Sequence, residues 1–256
     1  MSKLSEILNK LTDRISGITA KFNSAIIVAA GNGTRASSET TKQMVPLLGI
    51  PVVARTINVF ENCKFINEII VVAKSNELKE YEKFKDLYGW KKVSAVVTGG
   101  ETRQLSVLAG FKKISDKSDY VYIHDGARCL VTEKNIANVG HAACLHGAAF
   151  AAKKATETVR IEDNNKLSTL DRNKIWLAQT PQVFMTELYR AAAYSAQKNN
   201  FSATDDIMLA EELGFDAVPV DCGGENIKIT NPYDFAIAEA ILCYREKTTG
   251  ENNGDS

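Results

Sequence analysis

Residues 24–42 read SAIIVAAGNGTRASSETTK, and the fold turns on how that stretch is taken. Ala25-Ile26-Ile27-Val28-Ala29-Ala30 is a short, β-branched apolar run bounded by glycine, the pattern of a strand buried in a parallel sheet. Gly31-Asn32-Gly33-Thr34 then turns the chain. Glycines there let backbone N–H groups approach a ligand without a Cβ in the way, and successive N–H groups form an anion-binding nest. Two cations come next, Arg35 and Lys42, separated by a polar loop. Strand, glycine turn and flexible cations describe a polyphosphate site. The turn lacks the Gly-Lys-Ser/Thr of a Walker loop and the third glycine of a dinucleotide fingerprint. Alone, it reads equally well as an ordinary strand-to-loop turn with solvated cations, so other stretches must decide.

Outward from this strand the hydrophobic period alternates. Val52–Phe60 reads as a helix after the Gly49-Ile50-Pro51 turn, Glu68–Ala73 as a strand and Asn76–Leu87 as a charged helix. Val93–Val97 is a strand ending in Gly99-Gly100, and Arg103–Ile114 a helix with Leu105, Leu108 and Ile114 inward. Tyr120–Ile123 is a strand closing on His124-Asp125, Glu133–Leu145 a helix and Ala148–Ala152 a strand. This order predicts an α/β fold with a doubly wound, mostly parallel sheet. Ligands of such sheets bind beyond the carboxyl ends of the strands, where the Gly31 turn, the Gly99-Gly100 turn and Asp125 all fall.

The alternation breaks after residue 156. Thr158–Ile161 and Lys166–Leu170, joined by Glu162-Asp163-Asn164-Asn165, predict a β-hairpin arm over about 156–175. A lone hairpin is barely stable in water, so this one should pack on something, most simply a second subunit. After it come a helix from about Thr186, a polar turn at Thr204-Asp205-Asp206, and strands at Asp216–Val220 and Asn226–Thr230. Asn231 as N-cap and Pro232 at N1 start a last helix to about Tyr244.

Residues 1–22 form an amphipathic helix candidate, with Leu4, Ile7, Leu8, Leu11, Ile15 and Ile18 on one face. Residues 23–247 read as one domain, and 248–256 as a polar, disordered tail. The chain has 256 residues with 31 basic and 31 acidic side chains, a balance that points to neither nucleic acid nor anionic membrane as partner. Five scattered cysteines without a Cys-x-x-Cys argue against a disulfide framework or a zinc site. No run spans a membrane and no secretory h-region is present, so a cytoplasmic protein is expected.

Four further stretches carry polar groups that a plain core does not need: Gly99-Gly100-Glu101-Thr102-Arg103 with Ser106, His124-Asp125-Gly126-Ala127-Arg128, Asp171-Arg172, and Glu225-Asn226-Ile227-Lys228-Ile229-Thr230. Each has a plain reading: a helix cap, a surface ion pair, a solvent-facing lysine. Together with Arg35 and Lys42 they do not look accidental. AAGNGTR…K, GGETR…S, HDGAR, DR…W…QTPQVF, TDD and ENIKIT occur in the order found in 2-C-methyl-D-erythritol 4-phosphate cytidylyltransferases, over about Ser24–Arg245. The chain resembles that family and, for most of the set, its sister ribitol-5-phosphate cytidylyltransferases. It departs at Ala36, where methionine is common, at Thr41 and Cys129, where proline is common, and at Lys153-Lys154-Ala155, where a Pro-Val-type run is common.

The resemblance implies a Rossmann-like nucleotidyltransferase that joins CTP to a polyol phosphate and releases pyrophosphate, with Mg²⁺ on the triphosphate. It implies Arg35 and Lys42 as the transition-state pair, and Ala29, Ala30, Gly31, Gly33, Gly100, Glu101, Arg103 and Ser106 around the nucleotide. It assigns Arg172 and Lys228 to the acceptor phosphate, and Thr158, Asp125 and Arg128 to the acceptor. Asp125 is the candidate metal carboxylate and Glu225 a second. In this family the hairpin reaches into the neighbouring subunit, so Thr158 and Arg172 would serve the partner's site in a homodimer. The acceptor is 2-C-methyl-D-erythritol 4-phosphate or, alternatively, ribitol 5-phosphate. A non-catalytic nucleotide-binding module and a sugar 1-phosphate nucleotidyltransferase are the other readings; the first would have lost one of the cations or Asp125, and the second lacks the DR…QTPQVF stretch.

Overall fold

A computed structural model describes residues 21–31 and 41–251, the last three by their backbone only. The expected N-terminal helix, Gly33 and Arg35 lie outside the described residues, except that Lys21 and Phe22 are not helical. Phe22 already pairs with Asp119 on its way into the sheet.

The central sheet has seven strands: β1 (Asn23–Val28), β2 (Glu68–Ala73), β3 (Val93–Thr98), β4 (Tyr120–Asp125), β5 (Ala148–Lys154), β8 (Trp176–Met185) and β9 (Val218–Asp221). Between β5 and β8 the chain makes a separate two-stranded hairpin, β6 (Arg160–Asp163) and β7 (Lys166–Thr169). Across the sheet the order is β9-β5-β8-β4-β1-β2-β3. β1 runs parallel to β2 and β4, β2 to β3, and β5 to β9, while β8 is antiparallel to both its neighbours. The doubly wound, mostly parallel expectation therefore holds. The chain winds outward from β1 to β3, then crosses back to β4 on the other side of β1. That switch point opens a crevice above the ends of β1 and β4.

The helices are α1 (Val52–Asn62), α2 (Leu78–Tyr88), α3 (Arg103–Phe111), α4 (Glu133–His146), α5 (Thr186–Lys198), α6 (Ile207–Glu212) and α7 (Pro232–Glu251). All six residues of β1 are buried, as a strand covered on both faces requires. Ala25 and Ile27 face a core with Val53, Ile57, Phe60 and Tyr122; Ile26 and Val28 face another with Val107, Phe111, Phe184 and Tyr189. All five cysteines are free. Among the described residues no helix is long and apolar enough to cross a membrane.

Three expectations need correction. Leu105 is 43 % exposed rather than inward. The buried face of α3 is Ser106, Val107, Gly110 and Phe111. Its rotation is set by Gly110, where a Cβ would stand 2.7 Å from Ile26 and 2.8 Å from Val72. Asn226–Thr230 is not a strand. Ile229 N–H bonds the Ala127 carbonyl, but Asn226 is held by side-chain bonds to Gln179 and the Thr180 carbonyl. The segment is thus pinned to β8 and to the loop after β4 instead of to a ladder. Finally, α7 begins at Pro232 as expected but runs on to Glu251, through residues 248–251 expected in the tail; 252–256 lie outside the described residues.

The arm takes the expected hairpin form, with Asn164 and Asn165 at φ 49° and 62°. Two consecutive left-handed residues match the twist of paired strands. Every residue of β6 and β7 is exposed.

Candidate active site

A cleft of about 520 Å³ opens at the switch point, lined by Val28, Ala30 and Gly31 after β1, Gly100 to Arg103 and Ser106 after β3, Asp125 and Ala127 after β4, and Lys42, Gln43 and Lys228. The sequence-predicted Ala30, Gly31, Lys42, Gly100, Glu101, Arg103, Ser106, Asp125 and Lys228 are therefore neighbours, although they come from four separate stretches. Ala29 is different. It is fully buried, and its N–H bonds the Val72 carbonyl. Arg128 stands behind Asp125 and does not line the cleft. Thr158 and Arg172 belong to the arm and do not line it either; Arg172 Nη1 donates to the Thr156 carbonyl at 2.9 Å.

The wall after β3 is shaped by close approach. A Cβ at Gly99 would lie 2.3 Å from Ala30 Cβ and 2.8 Å from Ser106 Oγ, and one at Gly100 would lie 2.5 Å from Leu105 Cβ. Only glycines allow the turn to sit this near both β1 and α3. Thr102 caps α3 by accepting from Leu105 N–H. Ser106 Oγ accepts from Gly100 N–H at 3.1 Å and donates to the Thr102 carbonyl at 2.9 Å, which fastens the turn to the helix.

Asp125 is the electrostatic centre. Lys228 Nζ is 2.9 Å from Oδ2, Arg128 Nε 3.6 Å from the same oxygen, and Arg103 Nε 3.3 Å from Oδ1. Burial pushes the Asp125 carboxyl upward, but Arg103, Lys228 and Arg128 override it and hold the group well below the usual carboxylate range. The carboxylate stays ionised at any working pH. Lys42 feels the opposite balance. Burial and the nearby Lys228 lower its ammonium below the ordinary 10.5, while Asp125 and Asp234 partly restore it.

Sequence reasoning gave no role to three groups behind this wall. Asp206 is 1 % exposed and accepts from Arg103 Nη1 at 2.6 Å and from Tyr189 Oη at 3.0 Å. Arg103 is thus held between two carboxylates, one facing the cleft and one facing the core. His124, fully buried, meets Thr180 Oγ1 through Nδ1 and the Arg128 carbonyl through Nε2. The carbonyl can only accept, so Nε2 carries the proton and Thr180 donates to Nδ1. Thr180 Oγ1 in turn accepts from Asp125 N–H at 3.0 Å. Burial pushes His124 down to about 3, so it is neutral and structural rather than a proton shuttle. The polar doublet Asp205-Asp206 before an apolar run was the one sequence signal for the first of these.

Among the described residues no three His, Cys, Asp or Glu side chains gather into a metal cage. Glu225 turns away to Arg245, 2.7 Å from Nη2. Mg²⁺ commonly takes one or two carboxylates and completes its shell with phosphate oxygens and water. Asp125, ionised and lining the cleft, is a carboxylate that fits such an ion.

A sequence model of the 2-C-methyl-D-erythritol 4-phosphate cytidylyltransferase family matches residues 24–244. The chain belongs to that family. A 2-C-methyl-D-erythritol 4-phosphate cytidylyltransferase from Alkaliphilus oremlandii is 40 % identical over 227 residues, which is 88 % of this chain and 96 % of the relative. One from Caldanaerobacter subterraneus subsp. tengcongensis is 41 % identical over 223 residues, 86 % of this chain and 98 % of the relative. Among solved structures, a 4-diphosphocytidyl-2C-methyl-D-erythritol synthase from Anaerococcus prevotii superposes with a TM-score of 0.79 at 30 % identity, covering 89 % of this chain and 98 % of that one. As a cytidylyltransferase family member, the chain is a nucleotidyltransferase with a Rossmann-like sheet.

Proposed function

We propose that the cleft carries out cytidylyl transfer to 2-C-methyl-D-erythritol 4-phosphate. A phosphate oxygen of the acceptor attacks the α-phosphorus of CTP, and pyrophosphate leaves. Charge grows on the equatorial oxygens of the five-coordinate phosphorus, so cations aimed there lower the barrier more than they tighten binding. Lys42, which lines the cleft, takes this role, and Arg35 is its companion by the sequence resemblance. No general base is needed, because a phosphate monoester is already ionised near neutral pH. The cytosine and ribose lie along Ala30, Gly100, Glu101 and Ser106, with the phosphates toward Gly31, Gly33 and Arg103. Lys228 meets the acceptor phosphate as a point charge, while Asp125, backed by Arg128, accepts from its hydroxyls.

Mg²⁺, when bound with CTP, would supply charge neutralisation for the triphosphate, and Asp125 is the carboxylate that would hold it. Thr158 and Arg172 act on the site of a twofold-related subunit, a reading supported by the exposure of both arm strands. The enzyme works in the reducing cytoplasm, in keeping with its free cysteines.

The observation that carries this reading is the meeting of Lys42, Arg103, Asp125 and Lys228 in one cleft beyond the strand ends. Pyrophosphate release tests it, with CTP, UTP, ATP or GTP offered against methylerythritol phosphate or ribitol phosphate. CTP with methylerythritol phosphate should turn over fastest. A polar pocket built for one base leaves groups unpaired with another. Equal turnover with UTP breaks the base assignment, and faster turnover with ribitol phosphate breaks the acceptor assignment.

A further inference from the structure

Thr41 immediately precedes Lys42, where the family commonly has proline. It is 7 % exposed, with φ −70° and ψ 150°. Its carbonyl accepts from Met44 N–H at 2.9 Å, closing the single 3₁₀ turn Lys42–Met44. Its hydroxyl donates to Glu77 Oε1 at 2.6 Å. Glu77 is 9 % exposed and sits at the head of α2, just after β2. Its N–H bonds the Lys74 carbonyl, and its own carbonyl accepts from Glu80 and Tyr81 N–H. The acceptor carboxylate is therefore mounted on a fixed point of the scaffold, far from Thr41 in sequence.

A proline at this position would hold φ near −65° through its ring. Thr41 keeps nearly the same φ without a ring. A hydroxyl-to-carboxylate bond is short and about twice as strong as a neutral one, and here it is shielded from water. Lys42, the next residue, carries its ammonium on a long flexible stem, so that charge is only as well placed as the Cα beneath it. Misplacement by about 1 Å at a reacting centre can cost on the order of a hundredfold in rate.

We propose that Thr41 and Glu77 are positioning residues for the transfer step: their hydrogen bond fixes the start of the Lys42–Met44 turn and holds Lys42 in the cleft. This rests on the role given to Lys42 above. Neither residue lines the cleft. The strap acts on kcat through Lys42 and leaves substrate binding largely alone.

The test compares Thr41→Val, Thr41→Ser, Glu77→Ala, Glu77→Gln and the Thr41→Val/Glu77→Ala pair, with kcat and both KM values measured on each folded protein. Thr41→Val is expected to lower kcat about tenfold with each KM within about twofold, as loss of positioning rather than of binding predicts. Thr41→Ser and Glu77→Gln keep a donor and an acceptor and should hold kcat near native. The double variant should lose no more than its worse single, as two halves of one bond do. Native kcat in Thr41→Val, a loss confined to KM, or failure of Thr41→Ser to rescue overturns the proposal. If Thr41→Val folds poorly, the labelling rate of Lys42 by a trace amine-acylating reagent, read by peptide mass in Thr41→Ser and Glu77→Gln against Glu77→Ala, decides instead. Only Glu77→Ala should shift that rate, and an unchanged rate in all three overturns the strap. Lys42→Ala is the control: if it keeps native kcat, the role of Lys42 fails; if it is inactive while Thr41→Val is fully active, only the strap fails.

Discussion

Around Asp125, each charge is answered from within the chain: Lys228, Arg128 and Arg103 face the carboxylate, and Asp206 holds Arg103 from behind. On the arm the situation is reversed. Ile161 and Leu167 are 47 % and 63 % exposed, and the strands that carry them touch solvent along their whole length. The cleft is a closed electrostatic circuit, whereas the arm is two strands without a face to bury. A hairpin of this size does not hold its shape in water unaided. The difference teaches where a partner is needed: on the proposed reading, half of the acceptor site is built by this chain for itself and half is offered to another copy.

The largest expected effect tests that division. Lys42→Ala should lower kcat by about a hundredfold or more, because one donor aimed at developing charge is commonly worth about 3 kcal/mol. Arg172→Ala should also be nearly inactive. Co-refolded heterodimers of the two should recover activity, since one site collects both defects and the other neither. A mixture that stays as inactive as its parents, with subunit exchange proven by mass, would place Arg172 in its own chain's site.

A smaller effect concerns the closed circuit. The folded-state pKa of Asp125 is depressed, so its contribution to stability is present above the ordinary 3.8 and is lost as pH falls through the lower folded value. Native protein should lose stability on acidification below about pH 4, and Asp125→Asn should show a flatter slope there, measured by denaturant melts across pH. Equal slopes would mean that the three cations do not hold the carboxylate.

The smallest effect concerns Lys42. Its lowered pKa means the charged form is lost earlier as pH rises. The alkaline limb of kcat/KM, which reports the free enzyme, should fall below the ordinary lysine value of 10.5 and move upward in Lys42→Arg. A limb unmoved by that substitution belongs to another group.

Much of this was legible in the chain. Short apolar runs rich in β-branched residues marked β1, β2 and β4, because a strand covered on both faces has no polar side to disguise it. The Gly99-Gly100 turn and the cations flanking the first loop were visible as residue types that no core requires. Leu105 was misread because periodicity alone does not fix which way a helix faces; the contact of Gly110 with Ile26 and Val72 does. Lys228 was placed on a strand because alternation looks the same whether a segment is held by a ladder or by Gln179 and the Ala127 carbonyl.

The sequence by itself determined the strand–helix alternation from β1 to β5 and the chemical kinds of group at the strand ends, since both depend on local period and on side-chain chemistry; β8, antiparallel between β5 and β4, was decided by the tertiary structure. Only the tertiary structure decided how those groups are held. Asp206 behind Arg103, Thr180 against His124, and Glu77 under Thr41 are all bonds between segments distant in sequence. Such bonds leave no local pattern. They exist because burial makes an unpaired polar group costly, and the fold must find each one a partner wherever the chain brings it.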